Sequence, residues 1–432
     1  MTFKIGLLGL GTVGSGTAEI LLDPSGRHPL LQEIEIERVG VRSLSKPRTI
    51  KLPQEVMTTD LEAIVTDPEI DVVVELIGGL EPARSLILKA IAAGKHVVTA
   101  NKAVIARYGD EIYTAANQAK VYVLLEAAVG GGIPVIEPLK QSLGANRIQR
   151  IIGIVNGTTN YILTQMSAAG TDFDRVLAEA QKLGYAEADP TTDVDGLDAA
   201  DKITILTSLA FGRRLKVEDV HCEGIRQVST ADINYAQRLG FAIKLLAISQ
   251  CPNKEEPEKL QVRVHPTLVS QDFPLASING VYNAILIEGE PIGQVMFFGP
   301  GAGSGPTASA VVSDIMNIVG ILKSSGKTET LDPLLSCSHQ DYATVIPIEE
   351  SVTRFYGRFL TKDIPGVIGH LGTCFGKYNV SLESVVQIGF IGDLAEIVVV
   401  THDVREGNFR QAIEEISNLD AIDSIPSIIR VL

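Results

Sequence analysis

Two rhythms of apolar residues alternate along the N-terminal third of the chain. Residues 3–9 (FKIGLLG) form a short apolar run that stops at a glycine. Behind it, Val13, Ala18, Leu21 and Leu22 fall at helical spacing. Strand-like runs recur at 34–41, 70–76, 96–99 and 122–126, with helical stretches around 61–65 and 86–93 between them. Alternation of this kind predicts a parallel sheet covered by helices on both faces. After Pro134 the helical stretches lengthen (158–168, 173–183, 197–211), and strand-like runs follow at 260–265, 283–288 and 293–298. That texture predicts an α+β part ending at the glycine-rich loop 299–303. A helix over 307–322 then packs back on the first part. Residues 323–350 are polar and turn-rich, and read as a linker with some structure. The remaining pattern is strand 354–361, helix 367–377, strands 380–387 and 395–401, helix 409–417 and strand 425–431. This βαββαβ order is ferredoxin-like and predicts a separate small unit.

The predicted fold class is therefore α/β. A Rossmann-type doubly wound nucleotide domain (1–134 plus 304–345) precedes an α+β second domain (135–303), to which the family resemblance given below adds a catalytic and dimerisation role, and a ferredoxin-like domain follows (351–432). The 432 residues suit about three domains at roughly 150 residues each. With 45% hydrophobic and 21% charged residues the chain can bury a large core, and dominant disorder is excluded. A net charge of −15 makes nucleic acid an unsuitable partner, because that needs a basic footprint. No stretch reaches about 18 uninterrupted apolar residues, so no membrane span is expected, and the N-terminus lacks the form of a targeting peptide. Cys222, Cys251, Cys337 and Cys374 show no CxxC spacing, as expected for free thiols in the cytoplasm without structural zinc.

Candidate chemistry begins at Gly9-Leu10-Gly11-Thr12-Val13-Gly14. A G-x-G-x-x-G that follows a strand and opens a helix lets a pyrophosphate approach the backbone and the free N–H groups of the helix. An acidic residue that would bind an NAD ribose is missing after the second strand. Arg42, Lys46 and Arg48 stand there instead, which favours the 2′-phosphate of NADP, although NAD remains possible and a solvated basic loop would look the same. Thr99-Ala100-Asn101-Lys102 follows a strand and so places Lys102 at the nicotinamide end of the crevice, the bland alternative being a surface lysine. Downstream, Gly184-Tyr185-Ala186-Glu187-Ala188-Asp189-Pro190 leads into Asp193, Asp195, Asp198 and Lys202. Asp198 and Lys202 share a helix face at i, i+4. An exposed ion pair explains that spacing alone, but the acidic loop suits a substrate ammonium. Two lysines in one pocket would favour a neutral amine able to accept a proton. The polar turn Asn156-Gly157-Thr158 opens a helix and suits both capping and substrate contact. Glu126 and the glycines 130–132 suit a hard or monovalent cation and, equally, a hinge.

GLGTVG, ELIGG, TANKA, GGGIPVI, GIVNGTTNYIL, GYAEADPTTDVDGLDAADK and GPGAG, in this order, resemble the homoserine dehydrogenase family, and the last segment resembles an ACT domain. The resemblance implies NAD(P)-dependent interconversion of L-homoserine and L-aspartate 4-semialdehyde. It implies Lys202 as acid/base residue with Lys102 and Asp198, and substrate contacts at Glu187, Asp198, Lys102, Tyr185, Asn156, Gly157 and Thr158. Cofactor contacts would fall at Gly9, Gly11, Thr12, Val13, Gly14, Arg42, Lys46, Thr99, Lys102 and Gly303. A sodium ion would be held by Glu126, Val129, Gly131 and Ile133. A threonine effector would sit near Asp363, Gly366, Val367 and Asn379, and a homodimer or homotetramer is implied. The alternative from another class is a non-catalytic nucleotide sensor with an amino-acid-binding tail.

Overall fold

The computed structural model describes residues 2–48, 50–325, 330–337 and 339–432; part of the expected linker, 326–329 and 338, lies outside them. The chain divides into two compact units. The first comprises 1–151, 201–217 and 283–343, and the second 152–200, 218–282 and 344–432.

The first unit is built on a six-stranded sheet. Its strand order is Met57–Thr58, Ile34–Gly40, Phe3–Leu8, Val72–Glu75, His96–Thr99 and Val123–Leu124, and every pairing is parallel. Strand order reverses between Phe3–Leu8 and Val72–Glu75, which opens a crevice at their C-terminal ends. The strands are apolar on both faces because helices cover both; Ile5, Leu7, Val72, Val74 and Val98 are buried. The last strand is shorter than expected, since Glu126 lies in a 3-10 turn, Glu126–Ala128. Helix Ser304–Ser325 belongs to this unit and packs on helix Thr12–Leu22. Gly16 permits that approach, because a Cβ there would lie 2.7 Å from Ser304 Oγ and 3.0 Å from Ala308. By length and hydropathy this helix passes as a membrane span. Ala310, Val311, Ile315, Ile318 and Val319 are instead buried in the core of the unit.

The second unit carries the helices Gly157–Ala169, Phe173–Lys182 and Thr230–Arg238, and an antiparallel strand pair, Phe241–Gln250 with Lys259–Ser270. The C-terminal βαββαβ has the expected element order, with strands Val352–Lys362, Leu382–Ile391, Leu394–Thr401 and Ile422–Val431 and helices Val367–Lys377 and Glu406–Ser417. It is not closed off by itself. Ile422–Val431 pairs with Lys259–Ser270 at Thr267↔Arg430 and Leu268↔Val431, so one sheet runs from the middle segment into the C-terminal one. Buried charges reinforce the join. Arg358 Nε donates to Asp232 Oδ1 (2.7 Å) and its Nη1 to Glu396 Oε1 (2.9 Å), tying helix Thr230–Arg238 to two C-terminal strands.

Candidate active site

The turn after the first strand has the geometry its glycines suggest. Gly9 has φ +103°, and a Cβ there would lie 2.9 Å from Leu76 O. At Gly14 a Cβ would collide with Gly9 O at 2.2 Å. Gly11 is the N-cap of helix Thr12–Leu22, has no side-chain cap, and faces open space. Gly9 and Gly11 edge a cavity of about 830 Å³ in the first unit, lined also by Thr12, Arg42, Lys46 and Arg48. Arg48 donates from Nη1 to Lys46 O (2.9 Å) and from Nη2 to Ser43 O, which shapes the basic loop; Arg42 and Lys46 are exposed beside it. Ser304 Oγ donates to Thr12 O (2.8 Å), so a second helix N-terminus, with Gly303 just before it at φ +119°, reaches the same cavity. Open backbone at Gly11, two helix N-termini and a cationic rim fit the phosphates of a dinucleotide. Val13 is half-buried one residue inside the helix.

Glu75, which sequence reasoning passed over, organises the crevice. It is fully buried at the end of its strand. Its Oε1 accepts from Ile77 N–H (2.9 Å) and Gly78 N–H (3.2 Å), and its Oε2 from Thr99 Oγ1 (2.7 Å). Asn101 N–H donates to Thr99 Oγ1 (3.0 Å), and Asn101 Nδ2 to Gly79 O (2.8 Å). Asn101 then caps helix Lys102–Ala119 by accepting from Val104 N–H (3.3 Å), which sets Lys102 at the first helical position. Burial raises the pKa of the Glu75 carboxyl, opposed by these donors. Glu75→Gln would turn an amide nitrogen towards one of these donors. A loss of about 1 kcal/mol in urea denaturation is expected, the scale of one buried hydrogen bond. An unchanged midpoint would contradict this role.

Lys202 is also in the first unit, on helix Leu197–Phe211. It is 8% exposed and Asp198, one turn earlier, 4%, so the exposed-ion-pair reading of this spacing does not hold. Arg107 Nη1 donates to the buried Asp201 Oδ1 (2.7 Å). That bond ties the helix begun by Lys102 to the turn that carries Lys202.

In the second unit, Asn156 caps helix Gly157–Ala169 by accepting from Thr159 N–H (2.8 Å). Its Nδ2 donates both to Asp193 Oδ1 (2.7 Å) and to Asp198 Oδ2 (2.9 Å). One amide thus gathers two carboxylates 37 and 42 residues away in sequence. Asp193 was visible only as part of the acidic loop, without a role of its own. Thr158 Oγ1 donates to Tyr185 O (2.6 Å), and the Tyr185 ring lies 4.9 Å from that of Tyr161. Gly157 lets this helix start press on Val281 O, 2.7 Å from where a Cβ would stand. Glu187 is exposed, and its carbonyl accepts from Gln181 Nε2 (3.0 Å).

The Glu126 carboxylate is not an open ligand. Oε1 accepts from Val135 N–H (2.6 Å) and Ile136 N–H (2.8 Å), and Oε2 from Glu137 N–H (2.7 Å), so it caps helix Ile136–Lys140. Burial raises its pKa, opposed by these three donors. Backbone bonds in this loop end on Leu125 O and Gly130 O. Gly131 (φ +58°) is crowded by Gly301 O, 2.5 Å from a would-be Cβ. Among the described residues no three His, Cys, Asp or Glu side chains cluster as metal ligands. In the C-terminal part, Gly366 (φ +93°) precedes helix Val367–Lys377, Asn379 has φ +58°, Asp363 is exposed and Val367 buried.

Comparison with known proteins bears on this arrangement. Residues 9–126 match the family model described as homoserine dehydrogenase, NAD binding domain, and residues 134–316 the model described as homoserine dehydrogenase. The chain is 72% identical over 432 residues to a Synechocystis homoserine dehydrogenase, covering 100% of both. A crystal structure of a homoserine dehydrogenase from Thiobacillus denitrificans is 41% identical with a TM-score of 0.93, covering 100% of this chain and 98% of that one. A hyperthermophilic archaeal homoserine dehydrogenase in complex with NADPH is 29% identical with a TM-score of 0.62, covering 77% of this chain and 100% of that one.

Proposed function

The chain belongs to the homoserine dehydrogenase family, and from that premise we propose how its residues share the interconversion of L-homoserine and L-aspartate 4-semialdehyde. The observation that carries the proposal is the amide of Asn156 holding Asp193 and Asp198 together, with Lys202 one helical turn beyond Asp198. The carboxylates, with Glu187, suit the substrate ammonium, and Tyr185, Gly157 and Thr158 shape the turn beside it. In the reductive direction the Lys202 ammonium stabilises the alkoxide developing on the substrate and gives it a proton. In oxidation the same nitrogen, directly or through a water, takes the hydroxyl proton. Lys102 and Thr99 orient the nicotinamide end, while Gly9, Gly11, Thr12, Val13, Gly14 and Gly303 hold the phosphates. The bound nicotinamide supplies or takes the hydride. A non-catalytic sensor would leave Lys202 without a use.

NADP is the proposed preference, supported by the exposed Arg42 and Lys46 on the cavity rim. Arg42→Leu is expected to lower kcat/KM for NADP about tenfold, roughly one charge-assisted hydrogen bond, while NAD changes little. An equal fall for both cofactors in steady-state assays would remove the basis for this preference.

Further assignments stand at the same level. A monovalent cation such as sodium fits the carbonyls of Glu126, Val129, Gly131 and Ile133. Residues 351–432 form an ACT-type regulatory domain with a threonine effector near Asp363, Gly366, Val367 and Asn379. Residues 1–134 with 304–345 serve the nucleotide and 135–303 the substrate and subunit pairing. A homodimer or homotetramer acts in the cytoplasm, where the four free thiols are at home. Homoserine-dependent reduction of NADP, followed at the nicotinamide absorbance, tests the catalytic reading.

A further inference from the structure

Strand Phe241–Gln250, in the second unit, carries a lysine in its apolar middle. Ile243, Leu245 and Leu246 are buried beside it, and Lys244 itself is 3% exposed. Three neutral oxygens accept from its ammonium: Asn160 Oδ1 (3.3 Å), Asn279 Oδ1 (3.0 Å) and Ile278 O. Burial lowers its pKa to about 8, so at pH 7 it keeps its proton and all three N–H donors. The hydride and proton transfers above make no use of this group.

The ammonium decides how Asn160 is turned. A lysine ammonium only donates, so the amide oxygen of Asn160 faces it. The amide nitrogen then donates the other way, to Ile278 O (3.2 Å) and Tyr282 O (3.1 Å). Thr164, one turn further along helix Gly157–Ala169, accepts from Gly280 N–H (3.1 Å) and donates to Asn160 O (2.6 Å). Ile278, Asn279, Gly280 and Tyr282 are thus each tied to Lys244 or to one face of that helix.

Val281, the remaining residue of this segment, meets the start of the same helix. Its carbonyl oxygen lies 2.7 Å from where a Cβ on Gly157 would stand. Gly157 follows Asn156, whose amide gathers Asp193 and Asp198. Asn160 N–H also donates to Asn156 O (3.3 Å). A shift of segment 278–282 is therefore passed to the Asn156 turn, because packing this close leaves no gap to absorb it.

We propose that Lys244 is a positioning residue for the substrate: its ammonium fixes segment 278–282, and through it the Asn156–Gly157 turn that aligns Asp193 and Asp198. This rests on the substrate role proposed above for those carboxylates. Lys244 touches neither substrate nor cofactor in this account, so its loss weakens substrate binding and spares the chemical step.

Steady-state oxidation of homoserine by the full-length chain at pH 7, with a thermal melt of each sample, tests this. Lys244→Met is expected to raise KM for homoserine about tenfold, with kcat within about threefold and KM for NADP unchanged. Asn279→Ala removes one acceptor on an exposed residue and keeps the lysine. It is expected to raise the same KM about threefold without moving the melt, and it decides the matter should Lys244→Met not fold. An unchanged KM for homoserine in the folded variants overturns the proposal. So does an equal rise in KM for both substrates, or a lowered melt and kcat with KM intact, which makes Lys244 structural only. Asn156→Ala separates the two readings. A raised KM there beside an unchanged one in Lys244→Met and Asn279→Ala overturns the positioning role alone, whereas an unchanged KM in Asn156→Ala overturns the substrate reading and this proposal with it.

Discussion

Lys202→Ala is expected to lower kcat by about 100-fold or more, the scale of a lost general acid–base group. The side chain is buried on its helix, one turn past a carboxylate that Asn156 holds in place. Removing it should leave the helix intact, because alanine is the best helix former and Arg107–Asp201 still anchors the neighbouring turn. The loss should therefore appear in turnover and not in the melting temperature. Steady-state rates in both directions, with a thermal melt of the same sample, check this. Near-normal turnover defeats the assignment, and a collapsed melt with proportionate loss of activity makes Lys202 structural.

Arg358→Met is expected to destabilise the protein by about 3–5 kcal/mol, the range seen when one partner of a buried ion pair is removed. Asp232 is 0% and Glu396 2% exposed, and both depend on this guanidinium. Arg358 Nη2 also donates to Ser229 Oγ (3.1 Å), which belongs to the capping box of helix Thr230–Arg238. Tyr235 and Tyr356 donate to the same two carboxylates, so they lose a shared cation and not merely one bond. The urea midpoint measures the effect. A shift below about 1 kcal/mol would contradict the role of this guanidinium in holding the two buried carboxylates.

These two sites differ in how far the sequence reveals them. The nucleotide turn is legible because its signal is local: a strand, three glycines and a helix within a few residues. The acidic loop and Lys202 are legible for the same reason. Glu75 is hidden because it ends an apolar strand as an isolated acid, and its donors Ile77, Gly78 and Thr99 become neighbours only when parallel strands align. The pairing of Asn156 with Asp198, and of Arg358 with Asp232, spans 42 and 126 residues and leaves no spacing to read. Helix Lys102–Ala119 escapes the pattern because only Val104, Ile105, Ala106, Ile112 and Ala116 are buried along its 18 residues. Strand Phe241–Gln250 is obscured by Lys244, buried mid-strand, where its ammonium donates to Asn279 Oδ1 (3.0 Å) and Ile278 O. Glu126 shows the converse: its carboxylate, which looks like a metal ligand in sequence, is occupied as a helix cap.

The central claim is that Lys202 transfers the proton while homoserine is oxidised. The direct measurement is homoserine-dependent reduction of NADP by the full-length chain, compared with Lys202→Ala across pH. The account predicts turnover in the natural protein and a variant about 100-fold slower at every pH. Turnover in the variant with the same rate and the same pH profile would contradict it.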